Sequence, residues 1–192
     1  AAGRLSVIAG DAVSADLGAL CADPFQIVAN LPYNIGTKLV INFLEMDQHP
    51  KKITVMLQKE VAERVVARTG DRQYGRLSII VQWLASARIL FDVPSGAFRP
   101  EPKVISSVVE IIPRNEPLAP AKADFLQLVT KVAFGKRRKM MRTSLKGLHQ
   151  DAGCILEKAS VLPTLRPEQV TIKEFCSIAR VLDSWANSGG AR

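Results

Sequence analysis

Residues 25–33 read FQIVANLPY, and this stretch gives the first indication of the fold. Its first five residues are mostly apolar and predict a buried strand that ends at Asn30. Pro32 fixes its own φ and lacks a backbone N–H, so the chain leaves the strand there, and Leu31 before it is restricted to an extended conformation. We therefore expect a stiff segment that presents the Asn30 amide, backbone carbonyls and the ring of Tyr33.

Strand-like and helix-like patterns alternate on either side of this stretch. They predict four further strands, at residues 5–9, 53–57, 88–93 and 107–112, and three helices, at residues 37–46, 60–68 and 76–85. Alternation of this kind is typical of an α/β domain with a mostly parallel sheet. Ligands of such sheets bind at the carboxyl ends of the strands, which is where Asn30 is expected.

Polar residues and two prolines at 114–120 predict a linker, and the pattern beyond it is only helical. Apolar residues from Phe125 to Val132 follow the i, i+3, i+4, i+7 spacing of an amphipathic helix. Residues 167–185 predict one or two closing helices. We therefore expect two domains, an α/β domain over residues 1–114 and a small all-helical domain over residues 115–192.

The formal net charge is +8 and is distributed unevenly. Residues 1–114 hold 13 basic and 11 acidic residues, a difference of +2, whereas residues 115–192 hold 13 and 7, a difference of +6. A basic excess in one segment indicates a nucleic-acid partner, although a general solubility surface would have the same composition. The longest apolar runs are far shorter than the roughly 20 residues of a membrane-spanning helix, so we expect no membrane association.

Cys21, Cys154 and Cys176 are far apart in the sequence, and the chain has only two histidines. This pattern lacks the spacing of a metal site, so no metal is expected. Few and scattered cysteines are typical of proteins from a reducing compartment. We expect a reduced, intracellular, cytoplasmic protein, with a structural disulfide as the alternative.

No acidic residue occurs between Asp124 and Asp151, whereas seven basic residues do. At about 100° per residue, a helix through this segment would oppose a basic face to the apolar side chains of Met140, Met141, Leu145 and Leu148. Phosphate contacts would give such a face affinity for RNA without sequence readout; a solvated surface is the alternative. Arg137 falls in the apolar arc, so we expect it to have a partner elsewhere. The residues of the basic face are Arg138, Lys139, Arg142 and Lys146.

Residues 30–33, at the end of the predicted strand, suit methyl transfer to an exocyclic adenine amine. The lone pair of that nitrogen is delocalised into the ring, which makes it a poor nucleophile. The side-chain oxygen of Asn30 and the carbonyl of Leu31 would hold both N–H groups and turn the lone pair toward a methyl donor, so catalysis would rest on positioning and fixed dipoles. Tyr33 would stack on the base, a contact of about 1–3 kcal/mol. A plain turn after a strand is the alternative.

Asn30-Leu31-Pro32-Tyr33 resembles the catalytic (D/N)PPY-class motif, in the form found in KsgA-type small-subunit ribosomal RNA adenine-N6 dimethyltransferases. The resemblance covers residues 5 to about 183. It implies a Rossmann-like class I methyltransferase sheet, S-adenosyl-L-methionine as cofactor, and dimethylation of two adjacent adenosines near the 3′ end of 16S rRNA. Further stretches that agree in order and spacing are GDA at 10–12, MLQKEV at 56–61, YGRLS at 74–78, FRPEPKV at 98–104, SVV at 107–109, AF at 133–134 and RRK at 137–139.

The same resemblance implies the partners and the roles of single residues. The substrate would be small-subunit rRNA within an assembling 30S particle, the protein would act as a monomer, and its role would be in small-subunit biogenesis. Asp11 and Ala12 would bind the cofactor, with Asp11 accepting a hydrogen bond from its adenine amine. Asn30 would contact the cofactor's methionine end and the target amine. Tyr33 and Phe98 would stack on the target adenine, which must leave its own stack to reach an enzyme pocket.

The family's glycine-rich cofactor loop has no counterpart here, because in the family it precedes the matched region. We therefore expect the chain to be part of a longer protein, with impaired cofactor binding. Gly36, Lys38 and Glu101 depart from the usual family pattern, which leaves details of two loops open. One alternative is a non-catalytic rRNA-binding factor of ribosome assembly. The other is a large-subunit rRNA methylase of the antibiotic-resistance type, a branch that more often carries Ile or Phe variants where Leu31 and Tyr33 stand.

Overall fold

The structure is a computed structural model that describes residues 5–21, 24–149 and 151–187. Its described part contains one four-stranded sheet, with strands β1 (Gln26–Asn30), β2 (Lys52–Gln58), β3 (Ala85–Val93) and β4 (Ser106–Pro113). Their order in the sheet is β1–β2–β4–β3. β1 pairs with β2 in parallel, whereas β4 pairs antiparallel with both β2 and β3.

The directions of the strands decide which strand ends lie at the same edge of the sheet. β1, β2 and β3 run one way and β4 runs the other, so the carboxyl ends of the first three lie at the same edge as the start of β4. The prediction of a mostly parallel sheet is right for the directions of the described strands but wrong for their pairing, since one neighbouring pair of three is parallel. The cause is the connection from β3 to β4, which has no crossover helix and therefore returns the chain antiparallel.

Three helices of the part before β4 begin and end within two residues of the three predicted ones, whereas the short helix at Leu17–Leu20 was not predicted. β2 lies between β1 and β4, and its alternate residues Ile53, Val55 and Leu57 are buried against helical side chains. Because successive strand residues point to opposite faces, one face of the sheet carries this apolar cluster. The helices are α1 (Leu17–Leu20), α2 (Gly36–Leu44), α3 (Lys59–Val66) and α4 (Arg76–Leu84).

Residues 5–9, which we predicted as a strand, form none in the structure. Their apolar side chains are exposed, Val7 by 89%. Among the described residues, β1 pairs with β2 alone and these five residues pair with nothing. A strand exists through hydrogen bonds to a neighbour, and an apolar pattern alone does not supply that neighbour. The predicted strand at 5–9 is therefore wrong.

Beyond β4 the described elements are helical, as predicted. α5 (Ala123–Gly135) and α8 (Ile172–Asn187) pack against each other, and both contact α4. α4 borders two apolar clusters, since Val81 belongs to the sheet cluster while Ile79 and Trp83 belong to the helical one. The division into two domains at residue 114 stays a prediction. The further helices are α5 (Ala123–Gly135), α6 (Met141–Ser144), α7 (Ala152–Lys158) and α8 (Ile172–Asn187), with 3-10 helices at Leu145–Gly147 and Pro167–Gln169.

The predicted linker at 114–120 is held against helices. The indole N–H of Trp83 donates to the Ala119 carbonyl at 2.7 Å, and the Trp83 carbonyl accepts from the N–H of Leu118 at 2.8 Å. Arg180 of α8 donates to the Pro120 carbonyl at 3.0 Å. The segment is thus tied by hydrogen bonds to both α4 and α8. In the described ranges, no helix is long and apolar enough to cross a membrane.

The prediction of one continuous basic helix is wrong. α5 ends at Gly135, a turn and a bend follow at residues 136–139, and α6 begins at Met141. The predicted basic face is therefore spread over three elements. Arg138 and Lys139 lie in the turn, Arg142 lies in α6, and Lys146 lies in the following 3-10 helix.

Backbone hydrogen bonds to a distant segment explain this break. The N–H of Met141 donates to the Leu165 carbonyl at 2.7 Å, and the N–H of Arg142 donates to the Pro163 carbonyl at 3.2 Å. A continuous helix would direct both N–H groups to carbonyls four residues earlier. Met141 is fully buried in the helical cluster, so tertiary packing overrides the local helical pattern.

Candidate functional site

The NLPY segment (residues 30–33) forms a fixed ledge at the carboxyl edge of the sheet. Asn30 is the last residue of β1 and is exposed. The side chain of Leu31 is only 5% exposed and packs in the sheet cluster. The Pro32 carbonyl accepts hydrogen bonds from the N–H groups of Ile35 at 3.2 Å and Gly36 at 2.9 Å. Burial on one side and the start of α2 on the other therefore hold the segment in place.

A cavity of ≈ 280 Å³ opens at this ledge. Asn30, Tyr33 and Phe98 all line it, so the structure brings together residues that are far apart in the sequence. Tyr33 is 37% exposed and Phe98 is half-buried, so both rings keep free surface. An aromatic and apolar cavity with one polar amide is the usual form of a small binding site. Its other lining residues are Leu31, Pro32, Met56, Pro100 and Pro102.

The carboxamide of Asn30 is free to bind a ligand. None of the residues in the described ranges forms a hydrogen bond with it. Asn30 is nonetheless fixed at its backbone, because it pairs with Met56 at the end of the parallel ladder. Its side-chain oxygen is thus an unused acceptor at the wall of the cavity, held on a rigid strand end.

Phe98 lies in the loop that joins β3 to β4. A 3-10 helix (Ser95–Ala97) precedes it, and the Arg99–Pro100 bond that follows is cis. The Ser95 hydroxyl donates to the Glu101 carboxylate at 2.5 Å, which closes the loop around Phe98. Glu101, which departs from the pattern of the resembled family, therefore has a partner within its own loop.

β4 begins with two fully buried serines, Ser106 and Ser107. The Ser106 Oγ lies 2.7 Å from the hydroxyl oxygen of Tyr33.

The Ser107 hydroxyl donates to Asp92 at 2.6 Å, and the Lys59 ammonium donates to the same carboxylate at 2.6 Å. The hydrogen bond from Lys59 lowers the pKa of Asp92, and the same bond raises the pKa of Lys59. Because both side chains are about 40% exposed, this ion pair stabilises the fold little.

Asp11 and Ala12, the predicted cofactor residues, do not line the cavity. Both are exposed, in the turn that precedes α1. One carboxylate oxygen of Asp11 accepts the N–H of Val13 at 2.9 Å. The other carboxylate oxygen has no hydrogen-bond partner in the described part of the chain, so it can accept a further donor.

The four predicted RNA-binding residues are all exposed and do not line the cavity. None of them forms an ion pair with another residue that the structure describes. On the opposite side, Met141 and Leu145 are fully buried, whereas Met140 is 40% exposed. The alternation of buried apolar and exposed basic residues thus survives, although the continuous helix does not. Four uncompensated cations on one short segment make a positive surface that attracts polyanions.

The prediction that Arg137 has a partner elsewhere is confirmed. Its guanidinium donates to the carbonyl of Arg72, between α3 and α4. Arg137 also lines a second cleft of ≈ 230 Å³, together with Arg64, Arg76 and the ring of Phe134. This basic cleft was not predicted, because its arginines come from segments that are far apart in the sequence.

Three further residues that line the first cavity, and one that lies behind it, were given no role from the sequence. Met56 is paired with Asn30 in the ladder between β1 and β2, so the register of two predicted strands would have placed it there. Pro100 and Pro102 flank Phe98 in its loop and could have been included with it. Ser106 gave no signal, because only tertiary packing buries it beside Tyr33.

Comparison with known proteins gives one consistent family. The family model described as ribosomal RNA adenine dimethylase matches residues 1–184. The ribosomal RNA small subunit methyltransferase A of Rhodospirillum rubrum is 48% identical over 182 residues, which cover 95% of this chain and 63% of that protein. The protein of the same name from Paramagnetospirillum magneticum is 47% identical, with 95% and 64% covered. The chain therefore spans less than two thirds of the length of these two curated relatives.

Two solved structures have a similar fold. A dimethyladenosine transferase from Plasmodium falciparum has a TM-score of 0.77 at 22% identity, with 97% of this chain and 74% of that chain covered. The 23S rRNA methyltransferase ErmE has a TM-score of 0.61 at 24% identity, with 90% and 70% covered. At these identities the likeness is one of fold. It confirms the predicted Rossmann-like methyltransferase sheet followed by a helical C-terminal part.

Proposed function

The chain belongs to the ribosomal RNA adenine dimethylase family, and from that premise we propose that it dimethylates the N6 of two adjacent adenosines near the 3′ end of 16S rRNA, with S-adenosylmethionine as methyl donor. One observation carries the proposal, the cavity that Asn30, Tyr33 and Phe98 share at the carboxyl edge of the sheet. It combines an unused amide acceptor with two partly free aromatic rings, which are the groups that recognition of a single purine needs.

The cavity would receive the target adenine after it leaves its stack in the RNA. Flipping a base out of a stack costs a few kcal/mol, so the enzyme must offer compensating contacts. Stacking on Tyr33 and Phe98 would contribute about 1–3 kcal/mol for each contact. Met56, Pro100 and Pro102 would add apolar surface around the ring.

Asn30 and Leu31 would orient the reacting amine. The side-chain oxygen of Asn30 and the carbonyl of Leu31 would each accept one N–H of the adenine N6, which turns its lone pair out of conjugation with the ring. Because the Leu31 side chain is buried and Asn30 ends a paired strand, the backbone that carries both acceptors is fixed before the substrate binds. Tyr33 is the only titratable residue that lines the cavity in the described structure, so the N6 proton would leave to water through the open mouth.

The residues present fit S-adenosylmethionine in part. The cofactor supplies an electrophilic methyl group when bound. Asp11 has one unused carboxylate oxygen, which would accept the adenine amine of the cofactor, with Ala12 beside it. Asn30 would contact the methionine end as well as the target amine.

The RNA would dock through the basic segment. Arg138, Lys139, Arg142 and Lys146 are exposed cations without ion-pair partners among the described residues, as phosphate contacts require. Helical RNA is recognised mainly by backbone and shape, which such a surface can do. Residues 1–114 would then form the catalytic domain and residues 115–192 the RNA-binding domain. The partner would be small-subunit rRNA in an assembling 30S particle in the cytoplasm, bound by a monomer.

Transfer of tritiated methyl groups to undermethylated small ribosomal subunits tests this function. The assay would use the 192-residue chain and a form that begins further upstream in the gene. Asn30→Ala should lower kcat by about a hundredfold or more, as loss of a fixed catalytic dipole does. Gln26→Ala is the matched control, because it removes an exposed amide from the same strand away from the cavity.

The possible outcomes separate the alternatives. Methylation by the longer form alone would mean that upstream residues complete the cofactor site. Calorimetry that finds cofactor binding by neither form, together with retained rRNA binding, would contradict the proposal and favour a non-catalytic assembly factor. Methyl transfer to large-subunit RNA instead would favour a methylase of the antibiotic-resistance type.

A further inference from the structure

We propose that Ser106 is a positioning residue that holds the ring of Tyr33 in the orientation needed to stack on the target base. Ser106 does not line the cavity itself and acts through the hydroxyl of Tyr33. The inference rests on the proposed function, because it assigns Tyr33 to base binding. Ser106 lies outside the NLPY motif, so the inference adds to the site a residue that supports Tyr33 from behind the cavity.

The geometry of the pair is that of a tether. The two hydroxyl oxygens are 2.7 Å apart, the usual distance of an O–H···O hydrogen bond. Ser106 is fully buried at the start of β4, whereas Tyr33 is 37% exposed in a loop. The rigid strand therefore holds the far end of the ring, and the face of the ring stays open to the cavity.

Because the Ser106 hydroxyl is buried, its hydrogen bond favours one orientation of the Tyr33 ring. Among the described residues the Tyr33 hydroxyl is the only hydrogen-bond partner of the Ser106 side chain. A rotation of Tyr33 away from β4 would leave a buried hydroxyl unsatisfied, which is costly. Without the serine hydroxyl, the partly exposed ring is free to adopt other rotamers, and only some of these face the cavity.

The neighbouring serine provides a matched control. Ser107 is equally buried on the same strand, but its hydroxyl donates to Asp92 at 2.6 Å and not to Tyr33. Replacing Ser106 or Ser107 by alanine removes the same atom from adjacent buried positions. An effect on Tyr33 is expected from the first replacement only.

A double-mutant cycle on methyl transfer tests the tether, with whichever form of the protein transfers methyl groups in the assay described above. Tyr33→Phe and Ser106→Ala should each lower kcat about fivefold, which is about 1 kcal/mol at 1.4 kcal/mol per tenfold. The KM for ribosomal subunits should change less than twofold, since the phosphate contacts are untouched. Ser106→Ala added to Tyr33→Phe should cause no further loss, and a folded Ser106→Thr, which restores a hydroxyl, should recover kcat.

Ser107→Ala should combine with Tyr33→Phe additively, which separates the tether from a general loss of packing. The inference is overturned if Ser106→Ala leaves kcat unchanged, or if its effect adds fully to that of Tyr33→Phe. A wild-type protein that methylates no rRNA overturns the proposed function instead. In that case the free energies of unfolding of the same variants still show whether the hydroxyls of Tyr33 and Ser106 are coupled. The assignment of Tyr33 to base stacking would then be wrong together with the proposed function.

Discussion

Replacing Arg138 and Lys139 by alanine should lower the salt dependence of rRNA binding by the contribution of two phosphate contacts. Both residues are exposed in the turn after α5 and have no ion-pair partner among the described residues. Each cation that contacts a phosphate releases counterions from the RNA when it binds. The number of contacts can therefore be read from the slope of log K against log salt.

The expected magnitudes follow from the four cations of the basic segment. Each contact contributes roughly 0.7–0.9 to the slope, so four contacts give roughly 3 and two give roughly 1.5. Between about 50 and 200 mM salt, these four contacts alone would cost the wild type about 50–150-fold in affinity, and two would cost about 7–12-fold. Other phosphate contacts would raise both slopes equally, so the difference of roughly 1.4–1.8 is the quantity to measure.

Fluorescence anisotropy of a labelled 16S rRNA fragment over a salt series measures this slope. The control variant carries Arg88→Ala and Lys122→Ala, which removes the same net charge from residues that pair with Glu110 and Asp183, both at 2.7 Å. Its slope should equal that of the wild type. Equal slopes for all three proteins, or an equal fall in both variants, would refute the assignment of the turn to phosphate binding.

Three further predictions concern buried groups. Tyr74→Phe should lower the free energy of unfolding by about 1–3 kcal/mol in a urea titration, because the buried hydroxyl donates to the Val170 carbonyl at 3.0 Å. Burial raises the pKa of Tyr74 from 10.0 to about 12, so this residue's contribution to stability should be intact below about pH 10 and lost as the pH rises toward 12; Tyr74→Phe should lack that loss. Burial raises the pKa of Cys176 to about 11, so a thiol reagent should label the half-buried Cys21 and Cys154 first, and equal rates for all three thiols would contradict this.

The sequence predicts an element well where local chemistry decides it. The strands at 53–57 and 107–112 were predicted within a residue or two because their apolar, largely β-branched runs mark them locally, and the structure pairs both of them in the sheet. Residues 5–9 have a similar pattern but pair with no other described residue, and the pattern alone does not show whether a neighbouring strand is present. The break before α6 has the same origin, since the carbonyls that capture Met141 and Arg142 lie more than 20 residues away.

The candidate site divides in the same way. The position of Asn30 at the end of a strand can be predicted from Pro32 two residues later, because a proline lacks the backbone N–H that would continue the strand. The approach of Phe98 to Tyr33 depends on the order of β1, β2, β4 and β3, and only the family resemblance indicated it. Ser106 was missed altogether, because a serine that begins a strand has no sequence mark of burial. Local rules thus predict the ledge, whereas the positions of Phe98 across the cavity and of Ser106 beside Tyr33 depend on the topology of the sheet.

α4 is the element that lies between the cavity at the ledge and the basic segment. Its residues enter both apolar clusters, and the linker is bound to its Trp83 through two hydrogen bonds. Just before α4, Tyr74 donates to the Val170 carbonyl, and Arg137 donates to the Arg72 carbonyl. These contacts, and not the length of the linker, therefore set the distance between the basic segment and the ledge. The function proposed above would need such a fixed offset, because phosphate contacts carry no sequence information and only distance would then select the adenosine that reaches Asn30.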